Sequence, residues 1–342
     1  LAISSRVPTQ QNVAIHLLLL GTTKTGKSDY VARAANDGFT VLYIDSDNGA
    51  NTLSRVLTPE GQSRVIYIST DKPYEFVKQF TKSAVMRWNV TRDSEFIGMA
   101  TAKPDDDIIE IRPSRIQQGV IVAIDTWTSL SFDAMKAAAK GQGSDLADMQ
   151  DKLGVYGDAN IWLNLILDVM QKWPFHCIVQ GHGTTYERKE KPPNTVNPKM
   201  KDMIIKDTTQ IPVSSSAPHG ASMGSKFNEI GWLEIDRFGK RILSFVPKYD
   251  RIGGGSVKGE GDPTTDYSFK KLFGDPIPYS EEDIGVWFKE FKASEFVAPT
   301  AQSVGLQKPA TTPASSPAGQ LPSSSAASKN PMMMALAKSK QQ

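Results

Sequence analysis

The chain is poor in the residues that make covalent or metal-held scaffolds. Cys177 is its only cysteine, which excludes an internal disulfide and a cysteine-rich metal site. Its four histidines, His16, His176, His182 and His219, do not fall at metal-ligand spacings. The mostly apolar run Val13–Leu20 is too short to cross a bilayer and has no basic leader before it. The formal net charge is only +2 over 342 residues, so total charge announces no nucleic-acid partner and local charge must carry that argument. A lone cysteine fits a reducing compartment and predicts a cytoplasmic setting.

What is present is a long alternation of apolar runs and helical stretches from residue 12 to about 250, the pattern of an α/β protein. Val13–Leu20, Phe39–Ile44, Arg64–Ser69, Gly119–Ile124 and Phe175–Gln180 read as strands, the first and fourth apolar enough for buried parallel positions. Ser28–Ala35, Pro73–Trp88 and much of Asp148–Lys172 read as helices, the last with Leu153, Ala159, Leu163, Leu167 and Met170 towards one side. Ile230–Ile235 and Arg241–Val246, joined by Asp236–Gly239, predict an antiparallel hairpin at the end of the sheet. Residues 183 to 226 are polar, rich in Lys, Pro and Ser, and read as a long loop, either functional or mobile.

The expected organisation is a polar leader over residues 1–11, a core over 12–250, and a linker with a small C-terminal element over 251–298. Gly253–Gly255 and Gly259–Pro263 carry the linker composition. From 299 to 342 the chain is dominated by Ala, Ser, Pro, Thr and Gln, with four lysines (Lys308, Lys329, Lys338 and Lys340) and no acidic residue, which predicts a disordered, basic tail.

The strongest chemical signal is Gly21-Thr22-Thr23-Lys24-Thr25-Gly26-Lys27-Ser28, a full match to G-x-x-x-x-G-K-[ST]. It follows a buried strand and opens a helix, where backbone N–H groups and the helix dipole favour phosphate. Lys27 then serves the β and γ phosphates, and Ser28 the Mg²⁺ ion. A P-loop also needs an acid on a neighbouring strand. Asp125, at the end of the apolar run Gly119–Ile124, supplies it. Asp45 and Asp47 end another strand, and Asp47, reaching further, is the preferred base. Gln180 and His182 follow a third strand and are candidates for sensing the γ-phosphate.

Four segments over Val13–Tyr249 together resemble the RecA-type ATPase core: GTTKTGKS, YIDSD, IVAIDTWTSL and CIVQGHGT. The closer resemblance is to small phage-encoded RecA-like proteins linked to single-strand annealing and recombination. It implies ATP and Mg²⁺ as cofactors and a catalytic carboxylate at Asp47, where the family commonly has glutamate. It favours His182, where RecA itself often has Gln. It implies a DNA-contacting loop in residues 183–226, whose Tyr186 can stack on a base. Arg188, Lys189, Lys191, Lys199 and Lys201 can pair with phosphates. Glu187, Glu190, Asp202 and Asp207 interrupt that basic pattern.

The resemblance further implies a homo-oligomer, ring or filament, with a site completed across subunits by Lys248 or Arg251. It implies single-stranded DNA as partner, with a single-strand-binding or recombination protein beside it, and a host cytoplasm or virion setting. Two other readings stand beside it. One is a small-molecule kinase with 183–226 as lid, and the other an accessory virion protein that keeps a nucleotide site. Thr126 after Asp125, where AAA+ and packaging motors place Glu, argues against those two classes.

Overall fold

A computed structural model describes residues 14–47, 50–91, 103–148, 153–190, 204–247 and 251–295. The side chains of 188, 190, 204, 206 and 207 are excepted. The central sheet is nine-stranded. Five of its strands are β1 (His16–Gly21), β2 (Val41–Asp45), β3 (Val65–Ser69), β6 (Ile121–Asp125) and the first half of β7 (His176–Glu190), with β3 at the edge. They lie in the order β1-β7-β6-β2-β3, every pair parallel. β9 (Glu229–Ile235) runs parallel to β1 on its other side, and β10 (Arg241–Ser244) returns antiparallel to β9. Sequence placed these strands and the hairpin within a few residues. The fold is mixed α/β around a mostly parallel sheet.

Alternation along the strands assigns each side chain to a face. Leu18, Leu20, Leu42, Ile44, Val122, Ile124 and Val179 face one core. Helices α4 (Pro73–Lys82), α5 (Trp127–Gly141) and α6 (Leu153–Met170) cover it. Leu17, Leu19, Val41, Tyr43, Ile121, Ala123 and Ile178 face the other, under α1 (Lys27–Asn36), α2 (Ala50–Val56) and α8 (Phe269–Phe273). Strands buried on both faces must be apolar throughout, which is why Val13–Leu20 shows no polar alternation.

Several expectations are corrected. Pro73–Trp88 is not one helix, because α4 ends at Lys82 and Met86–Asn89 is strand β4. There Met86 and Trp88 point inward while Arg87 turns out to Glu110, 2.8 Å away. β4 pairs with β5 (Asp107–Ile111), and β5 with β12 (Phe288–Lys292), in a separate three-stranded sheet. The helix read within Asp148–Lys172 buries Ala159, Leu163, Leu167 and Met170, but Leu153, its first residue, is exposed. Gly253–Gly255 and Gly259–Pro263, linker-like by composition, lie along the sheet edge instead. Ile230 N–H donates to the Gly254 carbonyl, and β11 (Glu260–Gly261) pairs with β10.

The largest correction concerns residues 183–226. Rather than a loop, β7 continues past the sheet to Glu190 and pairs antiparallel with β8 (Ile204–Pro212), forming a two-stranded ribbon. Thr184, Thr185 and Tyr186 on one strand and Ile204, Ile205, Thr208 and Thr209 on the other are strand-forming residues. The Lys/Pro-rich stretch between the strands conceals them in the composition. Helix α7 (Ala217–Met223) follows, with the Ser216 hydroxyl accepting from His219 N–H at its start.

Candidate nucleotide site

β1 delivers the chain to a tight loop and α1 takes it away. Gly21 passes so close to β9 that a Cβ there would fall 2.4 Å from the Leu233 carbonyl oxygen. Lys24 (φ 67°) and Gly26 (φ 93°) adopt the left-handed conformation, which turns successive N–H groups to one side of the loop. Gly26 holds that conformation without steric cost. The Lys27 ammonium folds back on the loop, donating to the carbonyls of Gly21 (3.1 Å) and Thr22 (3.0 Å). Thr25 Oγ1 donates to the same Thr22 carbonyl. Burial lowers the Lys27 pKa, while Asp125 and then Asp47 act to raise it.

Opposite the loop stands Asp125, in register with Asp45 on β2. One Asp125 oxygen, Oδ2, accepts from Ser28 Oγ at 2.7 Å and from the Tyr43 hydroxyl at 2.6 Å. Burial raises the Asp125 pKa, against the pull of those two hydrogen bonds, and the charges of Asp45 and Asp47 add to the rise. Asp45 and Asp47 have separate surroundings. Asp45 is fully buried and accepts from the Tyr67 hydroxyl and from Asp47 N–H. Asp47 lines the cavity and accepts from Ser129 Oγ at 2.6 Å.

Because β7 lies between β1 and β6, its end falls between the loop and Asp125. His182 is in register with Gly21 and lines the cavity. Burial, then the Lys27 charge, lowers its pKa, although Asp47 opposes this, so the ring is neutral at neutral pH. The His182 backbone N–H donates to Thr128 Oγ1, 3.3 Å away at the start of α5.

The cavity measures about 540 Å³ and brings together Thr23, Lys24, Gly26, Lys27, Ser28, Asp47, Asp125 and His182. Gln180 is not among them. It is fully buried, and its Nε2 donates to the Tyr43 hydroxyl at 3.1 Å, behind Asp125. Arg251 is not a free cation for a neighbouring subunit. Its buried guanidinium pairs with Glu234 at 2.7 Å, donates to Ser244 Oγ and lies over Trp232. The sequence shows a cation after a strand, but not that an acid on the adjacent strand claims it. Lys248 lies outside the described residues.

Of the residues expected to meet DNA, Tyr186 and Lys189 stand on the ribbon. Lys189 is exposed and 3.4 Å from Glu187. Arg188 is on the ribbon too, its backbone in register with that of Asp207. Lys191, Lys199 and Lys201 lie outside the described residues.

Sequence reading missed Tyr43, Ser129, Arg55 and Arg241. Tyr43 and Ser129 orient the two acids, while Arg55 and Arg241 line the cavity. Only Tyr43 left a signal, a polar tip two residues before an acid on an otherwise apolar strand. Among the described residues no three His, Cys, Asp or Glu side chains cluster as a metal site, and no helix is long and apolar enough to cross a membrane.

No family model and no curated protein matches the chain. Solved structures are similar in part, three of them as follows. The RadB recombinase is 12% identical, over 67% of this chain and 79% of its own, with a TM-score of 0.32. An ATPase from the type III secretion system of pathogenic bacteria is 12% identical over 65% and 52%, with a TM-score of 0.33. The flagellar accessory protein FlaH from Methanocaldococcus jannaschii is 13% identical over 72% and 83%, with a TM-score of 0.31. At that identity and TM-score the likenesses name no family for this chain.

Proposed function

We propose that the chain is an Mg²⁺-dependent ATPase of RecA-like type that couples ATP binding and hydrolysis to single-stranded DNA, in phage-type recombination or annealing. One observation carries the nucleotide part. Lys27, Ser28, Asp47, Asp125 and His182, from four separate segments, line one cavity beside a loop with two left-handed residues.

The donor set suits the cofactors. A magnesium ion takes oxygen ligands, usually one or two from protein with the rest from water and phosphate. Ser28 Oγ and Asp125 Oδ2, 2.7 Å apart, are such a pair, one as ligand and the other holding the ion's water shell. Bound there with the triphosphate, the ion neutralises charge that develops on the phosphoryl group. Lys27 leaves the Gly21 and Thr22 carbonyls for the phosphate oxygens. Asp47, held by Ser129, orients or deprotonates the attacking water. Neutral His182 donates to the γ-phosphate and, through the continuous strand β7, links it to the ribbon that bears Tyr186 and Lys189. Tyr43, backed by Gln180, keeps Asp125 in place.

The DNA and oligomer parts rest on the sequence resemblance and on the ribbon's origin at His182. The test is the ATP hydrolysis rate with and without single-stranded DNA, with Lys27→Ala as blank. Stimulation of several-fold, absent in the blank, supports the coupling. A rate indifferent to DNA at every protein concentration overturns it and favours the kinase or accessory reading.

A further inference from the structure

Arg241 also lines the cavity that holds Lys27 and Asp125. It leaves β10 and crosses to α1, where its guanidinium pairs with Asp29, the residue after Ser28. The Asp29 side chain is 6% exposed and Arg241 39% exposed, so the acid is enclosed and the guanidinium keeps an open face. Arg33, one helical turn on, donates to the other Asp29 oxygen at 3.1 Å. The guanidinium also lies on the loop itself. A Cβ at Gly26 would fall 2.6 Å from Arg241 Cζ and 2.8 Å from Nε.

A carboxylate next to Ser28 repels a triphosphate unless it is neutralised, and Asp29 is neutralised by two arginines. Arg241 is thereby fixed at the rim of the cavity, in the same wall as Asp29 and Gly26. The residues assigned to phosphate and metal account for the inner part. Thr52 and Arg55 of α2 line the same cavity with Arg241 and are not among the residues assigned above to phosphate and metal. A nucleotide whose phosphates occupy the loop must place its sugar and base in what is left.

We infer that the guanidinium plane of Arg241, held by Asp29 against Gly26, is the surface on which the nucleoside of the bound triphosphate lies, between β10 and α2. This rests on the nucleotide reading above. Arginine presents a flat, weakly hydrated face to aromatic rings, which lysine does not. Arg241 is thus a binding residue for the base and sugar, distinct from the phosphate-reading Lys27.

The experiment compares the binding of Mg-ATP and Mg-tripolyphosphate, which shares the phosphates and lacks the nucleoside, by calorimetry on the full chain. The wild type is expected to prefer ATP. Arg241→Ala and Arg241→Lys are each expected to weaken ATP about tenfold and tripolyphosphate less than about twofold. Arg241→Lys keeps the charge and a partner for Asp29, so a folding defect in the alanine variant does not decide the outcome. A second cavity, of about 400 Å³, opens on the other side of Arg241 past Tyr30 and Pro263. Filling it with Thr264→Trp, at an exposed turn, is expected to leave both affinities unchanged.

Equal losses for both ligands in the Arg241 variants would overturn the inference and make Arg241 a phosphate cation. No loss for either would make it a structural pair. Loss of the ATP preference in Thr264→Trp would move the nucleoside to the other cavity and overturn the placement. Failure of the wild type to bind either ligand would overturn the nucleotide reading and this inference with it.

Discussion

Gly26 and Asp125 show how single residues serve the site against local stability or substitution. Gly26 has a positive φ, and Arg241 occupies the space a Cβ would need. Gly26→Ala therefore combines left-handed strain of about 1–2 kcal/mol with displacement of the guanidinium. Calorimetry is expected to show loss of Mg-ATP binding of at least about tenfold, beyond any loss of stability seen in urea. Asp125 is a carboxylate held where burial disfavours its charge. Its folded-state pKa lies above the unfolded one, so ionised Asp125 costs stability above the folded pKa, and that cost fades as pH falls through it. Asp125→Asn, without nucleotide, should melt at a higher temperature than wild type at neutral pH. The difference should shrink on acidification. A variant that melts lower at neutral pH would contradict the assignment. At this scale the sequence was legible where chemistry is contiguous. Gly21–Ser28 form one run, and Asp125 ends one strand. Tyr43 on Asp125, Ser129 on Asp47, and Arg241 on Asp29 are contacts between elements distant in sequence. They exist only because of a strand order that composition and periodicity do not encode.

The ribbon is the element that most altered the reading. β7 is a strand of the central sheet to His182 and a ribbon strand beyond it, so the residue beside the loop and the ribbon's Tyr186 share one backbone. At its base, polar contacts tie β8's exit to α5. The Trp127 indole donates to Ser214 Oγ at 3.1 Å, and Ser214 Oγ is 2.7 Å from His219 Nδ1. Burial holds the His219 pKa at about 4, so the ring is neutral and able to share this bond. Ser214→Ala strands the indole N–H and the imidazole nitrogen. It should lower stability by about 1–3 kcal/mol in urea unfolding. A change below about 0.5 kcal/mol would show that water replaces the hydroxyl without cost. Elements with a strong apolar period were legible, as in β1, β6 and the buried stripe of α6. The ribbon was not, because its strands face solvent on much of their surface. Their β-branched residues are the only signal beside a charged stretch. The strand β4 was hidden for a related reason. Four residues after a helix carry too short a period to separate from it.

On the scale of the whole molecule, two cores sandwich one sheet, and the C-terminal stretch contributes to the first. Trp287 is 1% exposed and belongs to that core, and β12, just after it, completes the small sheet with β4 and β5. Trp287→Ala is expected to cost about 3–5 kcal/mol in urea unfolding, the range for an indole removed from a packed interior. A cost under about 1 kcal/mol would mean that residues after 250 dock only loosely. The sheet class was readable because doubly buried strands must be apolar. The partnership of Phe288–Lys292 with Asp107–Ile111 was not, since neither segment keeps a clean two-residue alternation and the two lie far apart in the chain.

Mg-ATP is proposed to bind in the cavity formed by the loop, Asp47, Asp125 and His182. The most direct test is the melting temperature of wild type and Lys27→Ala with and without saturating Mg-ATP. A ligand at about 100 times its dissociation constant stabilises the folded state by about 2.7 kcal/mol, a shift of several degrees. The account predicts that shift in the wild type and its loss in Lys27→Ala. An equal shift in both proteins, or none in either, would contradict it.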